Sequence, residues 1–293
     1  MATSLAARNR IHALHREYAS LRPGKESLLA MIDEVEIPES VYNSNAIENS
    51  TLTLEETEKI LLEQMLSRNV SVREVFEAVN LARVIEYQRN RAGDTDPGKE
   101  RILLLHQMLI GAIDDDIAGR FRRSGEYVRV GSHIAPAPEQ VDGMIDEALL
   151  QYGSDLDCYF LDRIARFHLD FEVIHPFYDG NGRVGRVIIN AQLLKQGLPP
   201  LIVRNSEKQT YYRAFREYTD RQRSATMERI LALALIESLH KRLSYLQGQR
   251  IVTLSNYIRQ EGRSAPAVTN AARRQTIPAF REKGVWKIAS DSR

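Results

Sequence analysis

The sequence predicts an all-α fold that carries one small β-hairpin and ends in a small basic helical module. Apolar residues recur at helical spacing through most of the chain, as in residues 71–90 and 184–196. The stretch YVRVGSHI, residues 127–134, instead alternates around a turn at Gly131 and predicts a hairpin. No strands alternate with the predicted helices, so we do not expect a parallel sheet.

The individual helices follow from local signals. Residues 5–21 and 25–35 are predicted as two helices separated by RPGK. Pro38 then opens a short third helix, because proline fits the first turn of a helix. Thr53 and Glu56 are spaced as a capping box at the start of the next helix. The remaining predicted helices span 52–66, 71–90, 100–113, 138–152, 156–173, 184–196, 206–220 and 225–246.

The composition is typical of a soluble globular protein, with 43% hydrophobic and 27% charged residues in a chain of 293. The single cysteine, Cys158, allows no disulfide within one chain. The N-terminus lacks the apolar run of a signal peptide, and the longest apolar run, residues 230–236, is too short to span a bilayer. We therefore expect a cytoplasmic protein with no membrane partner.

Charge is unevenly distributed along the chain. The formal net charge is +1, but residues 241–293 contain eleven basic and three acidic residues. A tail of charge +8 thus follows a body of charge −7. A basic segment of this kind suits contacts with the phosphates of nucleic acids.

The most informative stretch is HPFYDGNGRVGR, residues 175–186, which lies between two predicted helices. The first helix should end near Ile174, because a residue that precedes proline avoids the α region. The second should begin around Arg183. Three glycines in the stretch permit positive φ and close approach of the backbone. A glycine-rich turn at a helix N-terminus directs several N–H groups at one point, which predicts an anion site suited to phosphate.

The side chains of this stretch add acid–base and metal chemistry. Arg183 and Arg186 are three residues apart and can flank one anion. Asp179 offers a hard oxygen for Mg²⁺, and Asn181 can donate to a phosphate oxygen. His175 titrates near neutral pH, which suits a general base. Together they predict phosphoryl or nucleotidyl transfer. The stretch is not a P-loop, and its GNGRVG follows a helix, unlike a Rossmann turn.

At every fixed position, HPFYDGNGRVGR resembles HPFx[D/E]GNGRxxR, the signature of the Fic (filamentation induced by cAMP) family. The resemblance covers roughly residues 100–220. It implies a helical Fic core and a protein adenylyltransferase, which moves AMP from ATP, with Mg²⁺, to a Ser, Thr or Tyr hydroxyl of a protein. That protein substrate is unidentified and can be the chain itself.

The resemblance also implies roles for the residues of the motif. His175 would deprotonate the target hydroxyl, and Asp179 would hold Mg²⁺ against the α- and β-phosphates. Arg183 and Arg186 would bind the β- and γ-phosphates. Gly182 favours AMP transfer, because the phosphorylating Doc branch has lysine at this position. The anion hole would be formed by Gly180, Asn181 and Gly182.

By the same resemblance, the hairpin is the flap that docks a target segment as an added strand, through main-chain hydrogen bonds. An ordinary surface hairpin is the alternative. The candidate docking residues are Tyr127, Val128, Arg129, Val130, Gly131, Ser132, His133 and Ile134.

The segment SNAIEN, residues 44–49, resembles the inhibitory-helix motif [S/T]xxxE[G/N] of self-inhibited Fic proteins. Ser44 and Glu48 are four residues apart and share a helix face, and Asn49 completes the motif. Glu48 can therefore pair bidentately with Arg186 and block the γ-phosphate. A solvated carboxylate is the alternative. In some family members, the same glutamate orients a water that removes AMP from the modified protein.

These predictions divide the chain into an N-terminal helical region (1–98) with the inhibitory helix, a Fic core (99–240) and a basic C-terminal module (241–293). The module contains NAARRQTIPAFREKGVWKIA, which resembles the end of an excisionase-type helix-turn-helix with a wing. A packing or dimerisation module without DNA is the alternative.

The predicted partners are ATP, a protein substrate, a second copy of the chain and DNA. The alternative functions are AMP removal and DNA-binding regulation with the Fic core as a sensor.

Overall fold

The computed structural model describes residues 3–65, 70–91, 98–131 and 133–290. Helices dominate this part of the chain, and the all-α prediction is confirmed. Within the same ranges, no helix is both long and apolar enough to cross a membrane. The helices preceding the C-terminal module are α1 Leu5–Leu21, α2 Glu26–Ile47, α3 Leu54–Glu58, α4 Val72–Asn90, α5 Lys99–Ile110, α6 Pro138–Ser154, α7 Phe160–Ile174, α8 Asn181–Lys195, α9 Lys208–Arg221 and α10 Ala225–Leu246.

One departure from the prediction is α2, where two predicted helices form one continuous helix through Pro38. Proline removes the N–H that would bond to the carbonyl of Glu34. Because Glu34 is exposed, water can satisfy that carbonyl. Ile37 and Glu39 on either side of the proline are buried, which holds the helix in place. The helix predicted over 52–66 is also different, since the short α3 continues as a π-helical turn over Lys59–Glu63.

The predicted hairpin is present but short. Strand β1 is Arg129–Val130 and strand β2 is His133–Ile134. They pair antiparallel, with Val130 opposite His133 and Arg129 opposite Ile134. A further hydrogen bond from Ala135 N to Val128 O extends the pairing at 3.1 Å.

Buried apolar residues form two clusters. The larger draws on helices from α1 to α10 and includes Val41 of α2, Ile102 of α5, Phe171 of α7 and Val184 of α8. The N-terminal helices therefore share one hydrophobic core with the helices on either side of residues 175–186. The smaller cluster lies within residues 251–290 and includes Leu254, Val268, Ala272 and Ile288.

The C-terminal module has the arrangement of a winged helix-turn-helix. Its elements are β3 Ile251–Thr253, α11 Leu254–Glu261, α12 Ala265–Arg273, β4 Ala279–Glu282 and β5 Val285–Ala289. The strands form an antiparallel sheet in the order β3-β5-β4. Helix α11 ends at Gly262, whose φ of 63° is left-handed and costs glycine little. The turn between β4 and β5 is the wing tip, defined here as Lys283 and Gly284.

Helix α2 is held against α10 by buried ion pairs. Arg242 is 1% exposed, contacts Asp33, and lies 2.6 Å from Oε2 of Glu36. Lys241 Nζ lies 2.9 Å from the other oxygen of Glu36. Burial by itself would raise the pKa of Glu36, but the two cations lower it to about 2. The middle of the helix that carries SNAIEN is thus held to α10 by ion pairs, and removal of Glu36 would take an acidic partner from two buried cations at once.

Glu39 connects α2 to the C-terminal module. Its Oε1 accepts a hydrogen bond from Gly284 N at 3.0 Å and also contacts Arg204. Lys283 lies 3.0 Å from Glu58 of α3. The wing tip therefore contacts both the helix that carries SNAIEN and the helix that follows it.

Candidate active site

The loop at residues 175–186 begins with a strained residue. Helix α7 ends at Ile174, as predicted, and His175 takes a left-handed conformation with φ of 51°. Arg122 holds this turn. Its Nε donates to His175 O at 2.8 Å and its Nη2 to Ile174 O at 3.3 Å, while its own N–H donates to Pro176 O at 2.9 Å. The backbone that positions the histidine is therefore fixed by a buried arginine that sequence reasoning missed.

The interior of the loop is closed by side-chain to backbone hydrogen bonds. Asn181 Oδ1 accepts from Phe177 N at 2.8 Å, and its Nδ2 donates to Phe177 O at 2.9 Å. The Phe177 ring stacks on His106 with centroids 3.7 Å apart. His106 Nδ1 accepts from Gly119 N, so its Nε2 carries the proton donated to Asp179 O at 3.0 Å. The Asn181 side chain is thus engaged within the loop through its oxygen and its amide nitrogen. A contact of Asn181 with phosphate stays a prediction, and its backbone N–H in the first turn of α8 is a further donor for an anion.

Helix α8 begins at Asn181, two residues earlier than predicted, after Gly180 with φ of 84°. The N–H groups of the first helical turn have no partners within a helix. They open on a cavity of about 820 Å³. The cavity brings together most of the predicted site residues, namely Glu48, Asn49, Val130, Gly131, His133, Ile134, His175, Asp179, Gly180, Asn181, Gly182 and Arg183.

His175 has the properties of a neutral base. Its Nδ1 lies 3.3 Å from Glu172 O, and a carbonyl can only accept, so Nδ1 carries the proton and Nε2 is an acceptor. Burial lowers the pKa of His175 to about 4, so the ring is neutral at pH 7. The half-buried Glu172 also lines the cavity. Burial and then the nearby Glu48 raise the pKa of Glu172 to about 8.

Asp179 and Arg183 belong to a closed network with two residues of α4. Arg183 Nη2 lies 3.0 Å from Asp179 Oδ1, and its Nη1 lies 3.2 Å from Glu77 Oε1. Arg73 bridges the two carboxylates, since its Nε lies 3.1 Å from Glu77 Oε1 and its Nη2 contacts Asp179 Oδ2. Asp179 Oδ1 also accepts from Gly180 N at 2.6 Å. Sequence reasoning missed Arg73 and Glu77, which are about a hundred residues away in the chain and carry no local motif.

Arg186 is contacted by the segment that resembles an inhibitory helix. Its Nη2 donates to Glu48 Oε1 and to Ser44 O, both at 2.8 Å, and its Nε donates to Ser44 Oγ at 2.9 Å. Nη1 donates to the Tyr211 hydroxyl at 3.3 Å. The predicted bidentate pairing is wrong in detail. Glu48 uses one oxygen, while Ser44 and Tyr211 accept from three of the other N–H groups of the guanidinium.

Gly182 is what allows the Glu48 carboxylate to lie over the start of α8. A Cβ added to Gly182 would be 2.1 Å from Glu48 Oε1 and 3.0 Å from Arg186 Nη1. Any other residue at this position would collide with the carboxylate. The Glu48 oxygen therefore lies against the helix N-terminus that attracts anions.

The end of α2 is also tied to α9. Lys208 Nζ donates to Ala46 O at 3.1 Å and to Asn49 Oδ1 at 2.7 Å. The Tyr212 hydroxyl donates to Ile47 O at 2.9 Å. These donors satisfy the last carbonyls of the helix. The position of Glu48 therefore does not depend on its contact with Arg186 alone.

The hairpin lies at the mouth of the cavity. His133 Nε2 bonds to Val173 O at 2.9 Å, which ties the hairpin to the end of α7. Tyr127 and Ile134 are 62% and 71% exposed. Ser132, one of the predicted docking residues, lies outside the described residues. A role for this hairpin in docking a target stays a prediction.

A neutral histidine, a carboxylate, an arginine and a helix N-terminus line one large cavity of a helical protein, and this arrangement makes it a candidate anion site. Residues 96–193 match the model of the Fic/DOC family. The chain therefore contains a Fic domain.

Curated relatives share this domain. Over 208 residues, the chain is 29% identical to "Protein adenylyltransferase Fic" of Drosophila melanogaster. The aligned region covers 70% of this chain and 40% of that protein. Over 181 residues, it is 32% identical to the protein of the same name from Nematostella vectensis. This aligned region covers 59% of this chain and 41% of the relative. The chain thus spans about 40% of the length of these relatives.

Solved structures share the fold. A Fic-domain-containing signalling protein from Bacteroides thetaiotaomicron superposes with a TM-score of 0.74 at 22% identity, over 82% of this chain and 98% of the other. A Fic family protein from Desulfovibrio desulfuricans gives a TM-score of 0.70 at 20% identity, over 100% of this chain and 98% of the other. Similarity at this level of identity concerns the fold, including the part beyond the family match.

Proposed function

We propose that the protein is a protein adenylyltransferase, which transfers AMP from ATP to a Ser, Thr or Tyr hydroxyl of a protein. The observation that carries this proposal is the neutral His175, with Nε2 free to accept a proton, beside the anion-binding start of α8. The name of the relatives, protein adenylyltransferase Fic, supports it.

The proposed reaction uses this arrangement. The target hydroxyl oxygen attacks the α-phosphorus of ATP, and its proton passes to Nε2 of His175. The bond between the α-phosphorus and the oxygen bridging to the β-phosphorus breaks, and pyrophosphate leaves. The first-turn N–H groups of α8 and the Arg183 guanidinium stabilise the negative charge on the phosphates.

Asp179 is suited to a Mg²⁺ ion that arrives with the nucleotide. Among the described residues, no cluster of three or more His, Cys, Asp or Glu side chains could hold a metal by itself. Mg²⁺ in nucleotide sites is commonly bound by one or two carboxylates together with phosphates and waters. Asp179 lines the cavity and fits that arrangement. The ion would neutralise phosphate charge.

We also propose that Glu48 restrains this activity. Its carboxylate holds Arg186, which the nucleotide needs for its γ-phosphate, and lies against Gly182 where the phosphates approach α8. The bonds from Lys208 and Tyr212 keep the segment in place.

The test is incubation of Glu48→Gly protein with Mg²⁺ and ATP labelled at either the α- or the γ-phosphorus, alone and with a cell lysate. We expect protein-bound label from α-labelled ATP and none from γ-labelled ATP. Retention of the γ-label would indicate phosphoryl transfer instead. No label from either nucleotide, in the protein or in the lysate, would reject the proposal.

A second candidate is AMP removal with Glu48 as the base. The observation that favours it is that only Oε1 of Glu48 contacts Arg186, which leaves Oε2 to orient a water in the cavity. Protein modified by the Glu48→Gly variant would be purified and incubated with unmutated protein or with Glu48→Ala. Faster release of AMP by the unmutated protein would support removal. Equal release would reject it.

Binding of DNA by the C-terminal module is a separate proposal. Arg259, Arg263, Arg273 and Arg274 on or beside α11 and α12 are exposed. The cations of the wing are instead paired within the chain, as Arg281 is with Glu237 at 2.6 Å. The surface available to phosphates is therefore the helix pair rather than the wing.

In the full chain, reversing Arg273 and Arg274 to glutamate is expected to weaken binding to a mixed-sequence duplex, measured by fluorescence anisotropy. Each lost phosphate contact should reduce the slope of log affinity against log salt by about one. The control is Arg221→Glu with Arg223→Glu, which makes the same charge change at exposed positions outside the C-terminal module. No binding at low salt, or equal losses in both variants, would reject this proposal.

A further inference from the structure

The first two turns of α4 contact the nucleotide site from a part of the chain outside the family match. Arg73 and Glu77 are on α4, whereas the match covers residues 96–193. They reach the motif through Asp179 and Arg183 respectively. The four side chains alternate in charge and close a ring of net charge zero.

The two α4 side chains differ in burial. Glu77 is 14% exposed and its partner Arg183 is 4% exposed, so this pair is largely shielded from solvent. Arg73 is 55% exposed and Asp179 is 33% exposed. The first pair is therefore built into the protein, whereas the second is open to competing ions.

The two oxygens of Asp179 are also used differently. Oδ1 accepts from Gly180 N at 2.6 Å and from Arg183 at 3.0 Å, both within the loop. Oδ2 is contacted by Arg73. A cation that approaches Asp179 from the solvent side therefore meets an oxygen already neutralised by a guanidinium.

We propose that Arg73 is a resident counter-ion of Asp179, which Mg²⁺–ATP must displace, and that Glu77 is a positioning residue that holds Arg183 for the β-phosphate. This inference rests on the proposed function, because it takes the site to bind ATP with Mg²⁺.

Displacement of Arg73 needs no rearrangement of the fold. An exposed ion pair contributes little to stability, so the metal competes against a weak contact. After displacement, Arg73 keeps its contact with Glu77 at 3.1 Å and remains solvated. Glu77 cannot leave in the same way. Arg183 Nε is buried without a hydrogen-bond partner among the described residues, and loss of Glu77 would remove one more of this guanidinium's acceptors.

The test uses Glu48→Gly protein as the parent, so that the inhibitory carboxylate does not obscure binding. ATP affinity is measured by titration calorimetry at a series of Mg²⁺ concentrations. Arg73→Ala is expected to lower the Mg²⁺ concentration for half-maximal ATP binding by about two- to fivefold. The two proteins should converge at saturating Mg²⁺, where the metal has already displaced Arg73. The matched control is Arg83→Ala, an exposed arginine on the same helix.

Glu77→Gln is expected to weaken ATP binding about tenfold, because the neutral amide loses a charge-assisted hydrogen bond. Its binding of AMP should not change, since AMP has no β-phosphate. A merely structural role would weaken both nucleotides alike.

The outcomes separate the inference from the function on which it rests. Weaker ATP binding by Arg73→Ala at saturating Mg²⁺ would make Arg73 a phosphate ligand and overturn the counter-ion role. An unchanged Mg²⁺ dependence would also overturn it, while leaving the adenylyltransferase proposal intact. If the parent binds no ATP at any Mg²⁺ concentration, both are wrong.

Discussion

Replacement of His175 by alanine, in protein that already carries Glu48→Gly, is expected to lower AMP transfer by about 10²- to 10⁴-fold. This is the usual contribution of a positioned general base. In the proposed reaction, Nε2 of His175 accepts the proton, and the left-handed turn and the bond from Nδ1 to the Glu172 carbonyl orient the ring. The measurement is the initial rate of label transfer from α-labelled ATP.

ATP binding by the same variant serves as the control, because alanine leaves the phosphate-binding groups of α8 in place. The calorimetric affinity should stay within a few-fold of the parent. A rate that falls only because ATP no longer binds would contradict the assignment of a base.

The pH dependence of kcat/KM gives an independent check on His175. Burial lowers the pKa of this imidazole to about 4, so the unprotonated base predominates from about pH 5 upward. Glu48 raises this pKa slightly, and its removal therefore does not move the titration toward neutrality. We expect a rate that is flat from pH 6 to 8 with respect to this group and falls as the pH approaches 4. A fall centred near 6.5 would contradict the burial argument.

Replacement of Glu48 by glycine is expected to raise AMP transfer by about 10- to 100-fold. A hydrogen bond to a charged group contributes about 1.5–3 kcal/mol, and each 1.4 kcal/mol corresponds to about tenfold. Removing the carboxylate frees one of the two N–H groups of Nη2 of Arg186 and clears the space above Gly182. Initial rates of both proteins with α-labelled ATP measure the effect.

Glu34→Gly is the matched control for Glu48→Gly. Glu34 is an exposed residue of the same helix, and a glycine there costs the helix about 1 kcal/mol without touching the site. Glu48→Gln should give an intermediate rate, because it keeps the size of the side chain and loses its charge. Equal rates in the Glu48→Gly and Glu34→Gly proteins would show that loosening of α2, rather than loss of the carboxylate, is responsible.

The loop at 175–186 was predictable because its determinants are local. The proline after His175 ends one helix, the glycines permit the turn, and the next helix begins within the same twelve residues. The approximate place of the SNAIEN segment followed from the same kind of pattern. The contact between Glu48 and Arg186 was anticipated, although its geometry was not.

The partners of the loop could not be predicted, because they come from distant parts of the chain. Arg122 holds the backbone of His175, and Glu77 holds Arg183, yet neither stands in a recognisable motif. The same reason explains the error at Pro38, since burial and ion pairs with α10 keep α2 continuous where local propensity predicts a break. The bonds of the Asn181 side chain to the Phe177 backbone could not be predicted either, because they are visible only once the loop is folded.

The contact of the wing tip with Glu39 means that truncation at the C-terminus also affects α2. A shortened protein that ends after α10 loses the Gly284 N–H donor to Glu39 and the Lys283 partner of Glu58. The helix that carries Glu48 would then be held by fewer bonds at its buried face. A fragment prepared in this way would lack the module and would also hold the Glu48 segment less firmly. Its basal rate of AMP transfer would therefore differ from that of the full chain.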